Sequence, residues 1–262
     1  MKHRLVAGVT LGLLVMLQAA SSFPAQPAIA ATSAACPGDS RSPVIRQAKQ
    51  LLEELRRDLA PVEEEIRHSP YLAELESGMA SRESLQALAG EQYNIIRSDL
   101  RSDALMVARF GSGQAGEFFR GFLEGEVQAL GLLLDFAKAL GLNEDDLKAY
   151  EPRPAAQTYP AYVTWLAVYG SEAEIAAAYL MNFPVFGENT ARVSAALRKN
   201  YGLSAKDTAF FDFFAAPIPN FECDALAVVA ADLERGVEPR LIKRSARLLQ
   251  AYEQMFWDAN ES

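Results

Sequence analysis

Four glutamates in apolar surroundings, Glu124, Glu126, Glu188 and Glu253, are the side chains of this sequence best suited to chemistry. The segment AYEQMFWDAN (251–260) sets Glu253 one helical turn from Phe256 and Trp257. If the carboxyl turns outward it is merely solvated. If it turns inward, burial without a partner is costly. The pKa then rises, which suits general acid–base work. Tyr93, Tyr159, Tyr162, Phe183, Phe186, Phe210, Phe211 and Trp257 supply an aromatic setting, although each ring taken singly reads as core.

Other chemistries lack their residues. Beyond residue 30 the sequence holds one histidine, His68, and two cysteines, Cys36 and Cys223. A di-iron carboxylate bundle needs Glu-x-x-His pairs, haem most often needs an axial histidine, and zinc needs several His or Cys ligands. GSGQAG (111–116) has no lysine to make it a phosphate-binding loop, and no G-x-S-x-G elbow occurs. The expectation is a site with no metal and no cofactor.

The elements that must position these residues are helices. Ile45, Ala48, Leu51, Leu52, Leu55 and Leu59 form one apolar stripe, with Glu53, Glu54, Arg56 and Arg57 opposite. SPYLAELESG begins with a proline start and ends on Gly78, and Ser81 with Glu83 and Ser84 opens a long helix over 81–110. GSGQAG reads as a loop before a helix over 117–142, where Gly121, Gly125 and Gly131 would let another helix approach or thin a cavity wall. NEDDLKAYEPRPAAQTYP reads as a polar turn. Helices follow in PAYVTWLAVYG, in 171–202 with Pro184 inside it as a kink, in the aromatic stretch 204–215, and in two final segments. No β-hairpin pattern and no internal repeat is found. The expected fold class is all-α, a bundle of seven to eight helices.

The N-terminus has a targeting layout. Lys2 and Arg4 precede the apolar run LVAGVTLGLLVMLQAA (5–20), and Ala28-Ile29-Ala30 fits a small-x-small cleavage site. This predicts a signal peptide over 1–30, a flexible linker over 31–43 and a domain over 44–262, in a secreted or periplasmic protein without stable membrane insertion after cleavage. The alternative is an uncleaved N-terminal membrane anchor, for which about 16 apolar residues are marginal. Cleavage would take the formal charge from −9 to −11. So acidic a chain has no general affinity for nucleic acid phosphates. Export would permit a Cys36–Cys223 disulfide, and two unpaired thiols are an equal alternative at this stage.

With these helices laid out, the chain resembles the TenA family, also called thiaminase II, whose relatives include pyrroloquinoline-quinone synthase and the haem-oxygenase-like bundles. SPYLAELESGMASRESLQALAGEQYNII (69–96) resembles the family's HPF…GxL…F…QD-x-YL helix pair. LKAYEPRPAAQTYPAYV and AEIAAAYLMNFPVFGE resemble the stretch with the P-x-P turn, the pocket tyrosine and the Leu-Pro-Cys helix. YEQMFWD resembles the terminal E-x-x-F-W segment. The order and spacing of these anchors, over roughly 45–262, carry the resemblance.

The resemblance implies a haem-oxygenase-like, TenA-like bundle around a pocket for a small-molecule heterocycle, and hydrolytic removal of an amine or thiazole from an aminopyrimidine. It also implies a homo-oligomer. Carried over, the family's proton-shuttling glutamate falls on Glu253, with Phe256 and Trp257 packing the helix behind it, and a pocket tyrosine falls on Tyr159. The nucleophilic cysteine falls on Asn182, the ring-binding aspartate on Gln92, and two further tyrosines on Phe186 and Ile95. The histidine of HPF falls on Ser69, beside His68. NYGLSAKDTAFFDFF is closer to the quinone-synthase side. Asn182 cannot act as a thiolate, and Gln92 offers a neutral amide. Two readings follow. In one, Glu253 is general acid and base, Tyr159 and Gln92 orient the ring, and Asn182 positions a water. In the other, an exported protein holds the heterocycle without turning it over. An interaction-only role for the bundle is a third.

Overall fold

The computed structural model describes Cys36 and residues 42–260; the expected signal peptide and most of the expected linker lie outside the described residues. Among the described residues no strand occurs. There are ten helices: α1 (Pro43–Arg67), α2 (Pro70–Ser77), α3 (Arg82–Phe110), α4 (Gly113–Ala139), α5 (Glu144–Ala149), α6 (Thr158–Tyr169), α7 (Glu172–Tyr201), α8 (Ala209–Ala215), α9 (Phe221–Glu234) and α10 (Pro239–Ala259). The class is all-α as expected; the count is above seven to eight, with α2, α5 and α8 short at 8, 6 and 7 residues, and of these only α5 falls where no helix was expected. α5 lies where a polar turn was expected. Asn143 accepts from the backbone N–H groups of Asp145 and Asp146, and Asp146 accepts from that of Asn143. This capping box starts a helix in a segment with no apolar stripe.

Local chemistry fixes the ends. Ser81 caps α3 by accepting from the Ser84 N–H at 3.0 Å. Gly78 ends α2 at φ +75°, where a side chain would be strained. Ser171 and Glu174 form the capping box of α7. That helix runs through Pro184 without a break, and its residues 173–182 are all buried. A helix apolar on every side belongs at the centre of a bundle, and α7 packs on α1, α2, α6, α8, α9 and α10. α3 packs on α4, α5 and α6, and α10 on α7, α1 and α6. Cys36 is joined to Cys223, in the first turn of α9, with a sequence separation of 187. That settles the alternative left open by the sequence.

Two glycine expectations are corrected. α4 begins at Gly113 rather than 117, so most of GSGQAG is helical. At Gly121 and Gly131 an added Cβ would meet nothing within 4 Å, and at Gly125 only the Phe213 ring at 3.7 Å. Only α8 reaches these positions, through that ring, and at ordinary van der Waals distance. Close approaches lie elsewhere: at Gly187 of α7 a Cβ would sit 2.9 Å from the Phe214 carbonyl oxygen of α8, and at Gly90 of α3 one would sit 2.4 Å from the Tyr150 ring. The adjacent Glu91 is fully buried and accepts from the Tyr150 hydroxyl at 2.8 Å, the Arg153 N–H at 2.7 Å and Gln157 Nε2 at 3.0 Å. Together Gly90 and Glu91 clamp the α5–α6 connection onto α3. Gly90→Ala is expected to cost about 1–3 kcal/mol by overpacking, read as a lower denaturant midpoint at unchanged slope.

Candidate active-site cavity

α10 carries a stripe of buried residues, Ile242, Ser245, Ala246, Leu249, Gln250, Glu253, Phe256 and Trp257. Its spacing turns Glu253 inward, and the residue is 3% exposed. Glu253 borders a small internal cavity of about 30 Å³, room for about one or two waters. Gln92, Ile95, Tyr159, Asn182 and Phe186 border the same cavity. The structure thus places around one cavity the six residues to which the resemblance assigns pocket roles, from α3, α6, α7 and α10. Ile96, Asp99, Glu126, Phe183, Phe214 and Phe256 complete the wall.

Some placements differ from expectation. Phe256 lines the cavity rather than packing behind the helix. Trp257 donates from Nε1 to Glu253 Oε1 at 2.7 Å, so it holds the carboxyl as well as packing. Phe211 lies away from the cavity with its ring 4.9 Å from Phe136, and Phe214 of α8 takes the place on the wall. Glu124 and Glu188 are exposed, and Glu188 pairs with Arg67 at 2.6 Å. His68 is exposed on the surface.

Asn182 is 1% exposed and donates from Nδ2 to Gln250 Oε1 at 3.1 Å, while Gln250 donates to the Met181 carbonyl at 3.2 Å. The Asn182 amide also acts on the Glu253 carboxyl, so the Asn182 carbonyl is what remains for a water or ligand. Phe183, Phe186 and Phe214 are each partly exposed, and the Phe186 and Phe214 rings meet edge to face at 5.3 Å. They are the wall nearest solvent. A shallow outer groove of about 330 Å³ between α3 and α6, lined by Arg97, Arg101 and Thr164, is larger but contains none of these groups.

The residues that sequence reasoning missed are acidic. Asp99 and Asp103 of α3 are buried. Tyr179 donates to Asp103 Oδ1 at 3.1 Å. Burial pushes the Asp103 carboxyl up to about 7 against that hydrogen bond. Burial likewise pushes Glu253 up to about 7, with the Asn182 amide and the Trp257 indole pulling the other way. Asp99 is raised well above the carboxylate range by burial, then by Asp103 and Glu253. Glu126 is raised by burial, then by Asp99 and Asp103. Among the described residues no three His, Cys, Asp or Glu side chains are arranged to hold a metal ion.

The sign of the pH effect follows. Carboxyls whose folded pKa exceeds the unfolded value stabilise the fold below the unfolded value, about 4, and lose that contribution as pH rises through the folded one. The ligand-free protein is therefore expected to melt at lower temperature at pH 8 than at pH 5. Glu253 alone would contribute on the order of 3 kcal/mol to the difference, from its rise to about 7. Melting curves of the protein and of Glu253→Gln across this range check it, since the variant should show a shallower decline. The half-buried Glu54 and Asp207, lowered by hydrogen bonds from Lys243 and Ser204, act in the opposite sense, below their ordinary pKa and outside that window.

Comparison with known proteins then decides the family. The model of the TENA/THI-4/PQQC family matches residues 56–261. The chain belongs to this family. Solved structures agree in fold. A TenA homologue from Pseudomonas syringae pv. tomato str. DC3000 superposes with a TM-score of 0.69 at 13% identity, covering 82% of this chain and 96% of that one. A TenA homologue from P. horikoshii OT3 gives 0.62 at 17% identity, covering 80% and 98%. A domain of unknown function with a haem-oxygenase-like fold from Shewanella denitrificans OS217 gives 0.59 at 19% identity, covering 79% and 91%. No curated protein matches the sequence. The bundle is thus a TenA-like, haem-oxygenase-like fold, and the cavity lies within the part of the chain that the family model covers.

Proposed function

We propose that this TENA/THI-4/PQQC family member is an exported, cofactor-free hydrolase that cleaves a C–N bond on an aminopyrimidine or related small heterocycle. The observation that carries the reading is the Glu253 carboxyl, buried on the cavity, hydrogen-bonded by Trp257 and raised to about 7. A group with that pKa can take and give a proton near neutral pH. As base, Glu253 removes a proton from a water held by Asn182. The water oxygen bonds to the carbon that carries the amine, the C–N bond breaks with its electron pair leaving on nitrogen, and Glu253 returns the proton to the departing amine. Tyr159 and Gln92 orient the ring. Asn182 stands where a thiolate would otherwise attack, so the water attacks directly. Export is supported by the N-terminal layout and by the Cys36–Cys223 bridge, which persists in oxidising surroundings.

The same Asn182, together with the small volume of the cavity, favours the second reading, a protein that holds the heterocycle without turnover. The deciding experiment incubates the protein with an aminomethyl-aminopyrimidine and with thiamin, and follows release of the hydroxymethyl pyrimidine by chromatography. Release that needs Glu253 supports hydrolysis. Binding of either compound without release at high protein concentration leaves the second reading.

A further inference from the structure

Two carboxyl groups on the cavity wall lack partners. Asp99 of α3 is 7% exposed, and neither its Oδ1 nor Glu126 Oε2 of α4 has a hydrogen-bond partner, although both atoms are sealed from solvent. The cavity wall contains no lysine, arginine or histidine. The charged groups acting on this pair are themselves acidic: Asp103 beside both, and Glu253 beside Asp99. Tyr159 and Tyr179 also face the cluster, from α6 and α7. Leaving a buried polar atom unsatisfied typically costs about 1–3 kcal/mol. Here two such atoms border one cavity flanked by the rings of Tyr159, Phe183, Phe214 and Phe256.

We propose that Asp99 and Glu126 form a cation subsite that takes the protonated amino or amidine end of a flat aromatic ligand. Such a group brings two N–H donors and one positive charge. It satisfies both orphaned oxygens at once, and charge-assisted hydrogen bonds of this kind are about twice as strong as neutral ones. The surrounding rings suit a flat cation on both counts, stacking and cation–π attraction. Neither residue is among those that the family resemblance singled out. Asp99 lies seven positions beyond Gln92, two turns along the same face of α3. The inference rests on the reading of this cavity as a heterocycle site, and it narrows the ligand to a cationic one.

The cation needs an ionised partner, so binding to carboxyls that hold protons must release them, and affinity rises with pH. Calorimetry on the full chain would compare benzamidinium with its neutral isostere benzamide, at pH 6 and pH 8 and in two buffers of different ionisation enthalpy. Benzamidinium is expected to bind at least tenfold tighter than benzamide, to tighten as the pH rises from 6 to 8, and to release protons on binding at pH 6. Asp99→Asn with Glu126→Gln should lose at least tenfold in benzamidinium affinity. Equal binding of the two probes, no binding of either, or unchanged affinity in a double variant that still melts cooperatively would overturn the proposal. The proton count on the unsubstituted protein tests it even if the variant does not fold. Benzamidinium binding without pyrimidine release would sink hydrolysis and leave the subsite standing. Release with no preference for the cation would do the reverse.

Discussion

Glu253→Gln is expected to lower pyrimidine release by about 10²–10⁴-fold, the usual contribution of a positioned acid–base group, while the substrate still binds within a few fold. Glutamine keeps the shape of the side chain and its Oε1 can still accept from the Trp257 indole, so the packing of α10 is preserved. What it loses is the exchangeable proton. The pH profile is a second readout: release by the unsubstituted protein should follow ionisation of a group near the value of about 7 set by burial. Trp257→Phe removes the indole donor and should move that limb upward, because a hydrogen bond to the carboxylate is lost. A Glu253→Gln protein that turns over normally would show that Glu253 only packs. A folded variant without binding would place the residue in ligand recognition instead.

Breaking the Cys36–Cys223 bridge is expected to have the largest effect on stability. Chain-entropy reasoning for a separation of 187 residues gives about 5 kcal/mol, within the roughly 2–5 kcal/mol lost when native disulfides are removed. Cys223→Ser should therefore lower the denaturant midpoint strongly, and a reductant should do the same to the unsubstituted protein. Reductant added to the variant should have no further effect. If reductant leaves the midpoint of the unsubstituted protein unchanged, the bridge contributes nothing to the fold in solution.

Much of this architecture is legible from residue types. The stripe Ala48, Leu51, Leu52, Leu55, Leu59 reads directly as the buried face of α1, and Ser81 reads as a cap because its hydroxyl sits three residues before a free N–H. α5 is not legible because a capping box, rather than an apolar stripe, starts it. Asp99 and Asp103 are missed for a different reason. They sit in RSDLRSD among arginines and serines, a composition that suggests a solvated face. Spacing held the better signal: Gln92, Ile95, Ile96, Asp99, Ser102, Asp103 and Met106 follow helical periodicity and are all buried. Glu126 follows Phe119 and Phe122 in the same way and faces the cavity, whereas Glu124, two positions earlier, is exposed. Composition marks which residues could carry charge, and helical phase decides which of them are placed inside.

The bridge also divides the cavity topologically. Residues 36–223 close into a covalent ring, and Asp99, Glu126, Tyr159, Asn182 and Phe214 all lie on it. Glu253 does not: it hangs on the tail that follows, with α10. The acid–base group is thus delivered to a ring-bound pocket by a helix that no covalent link encircles. A protease cut in the connection between α9 and α10 would place Glu253 and Phe256 on a peptide that carries the 21-residue α10, leaving the other wall residues on the closed ring, and a synthetic α10 added back would restore the carboxyl from outside.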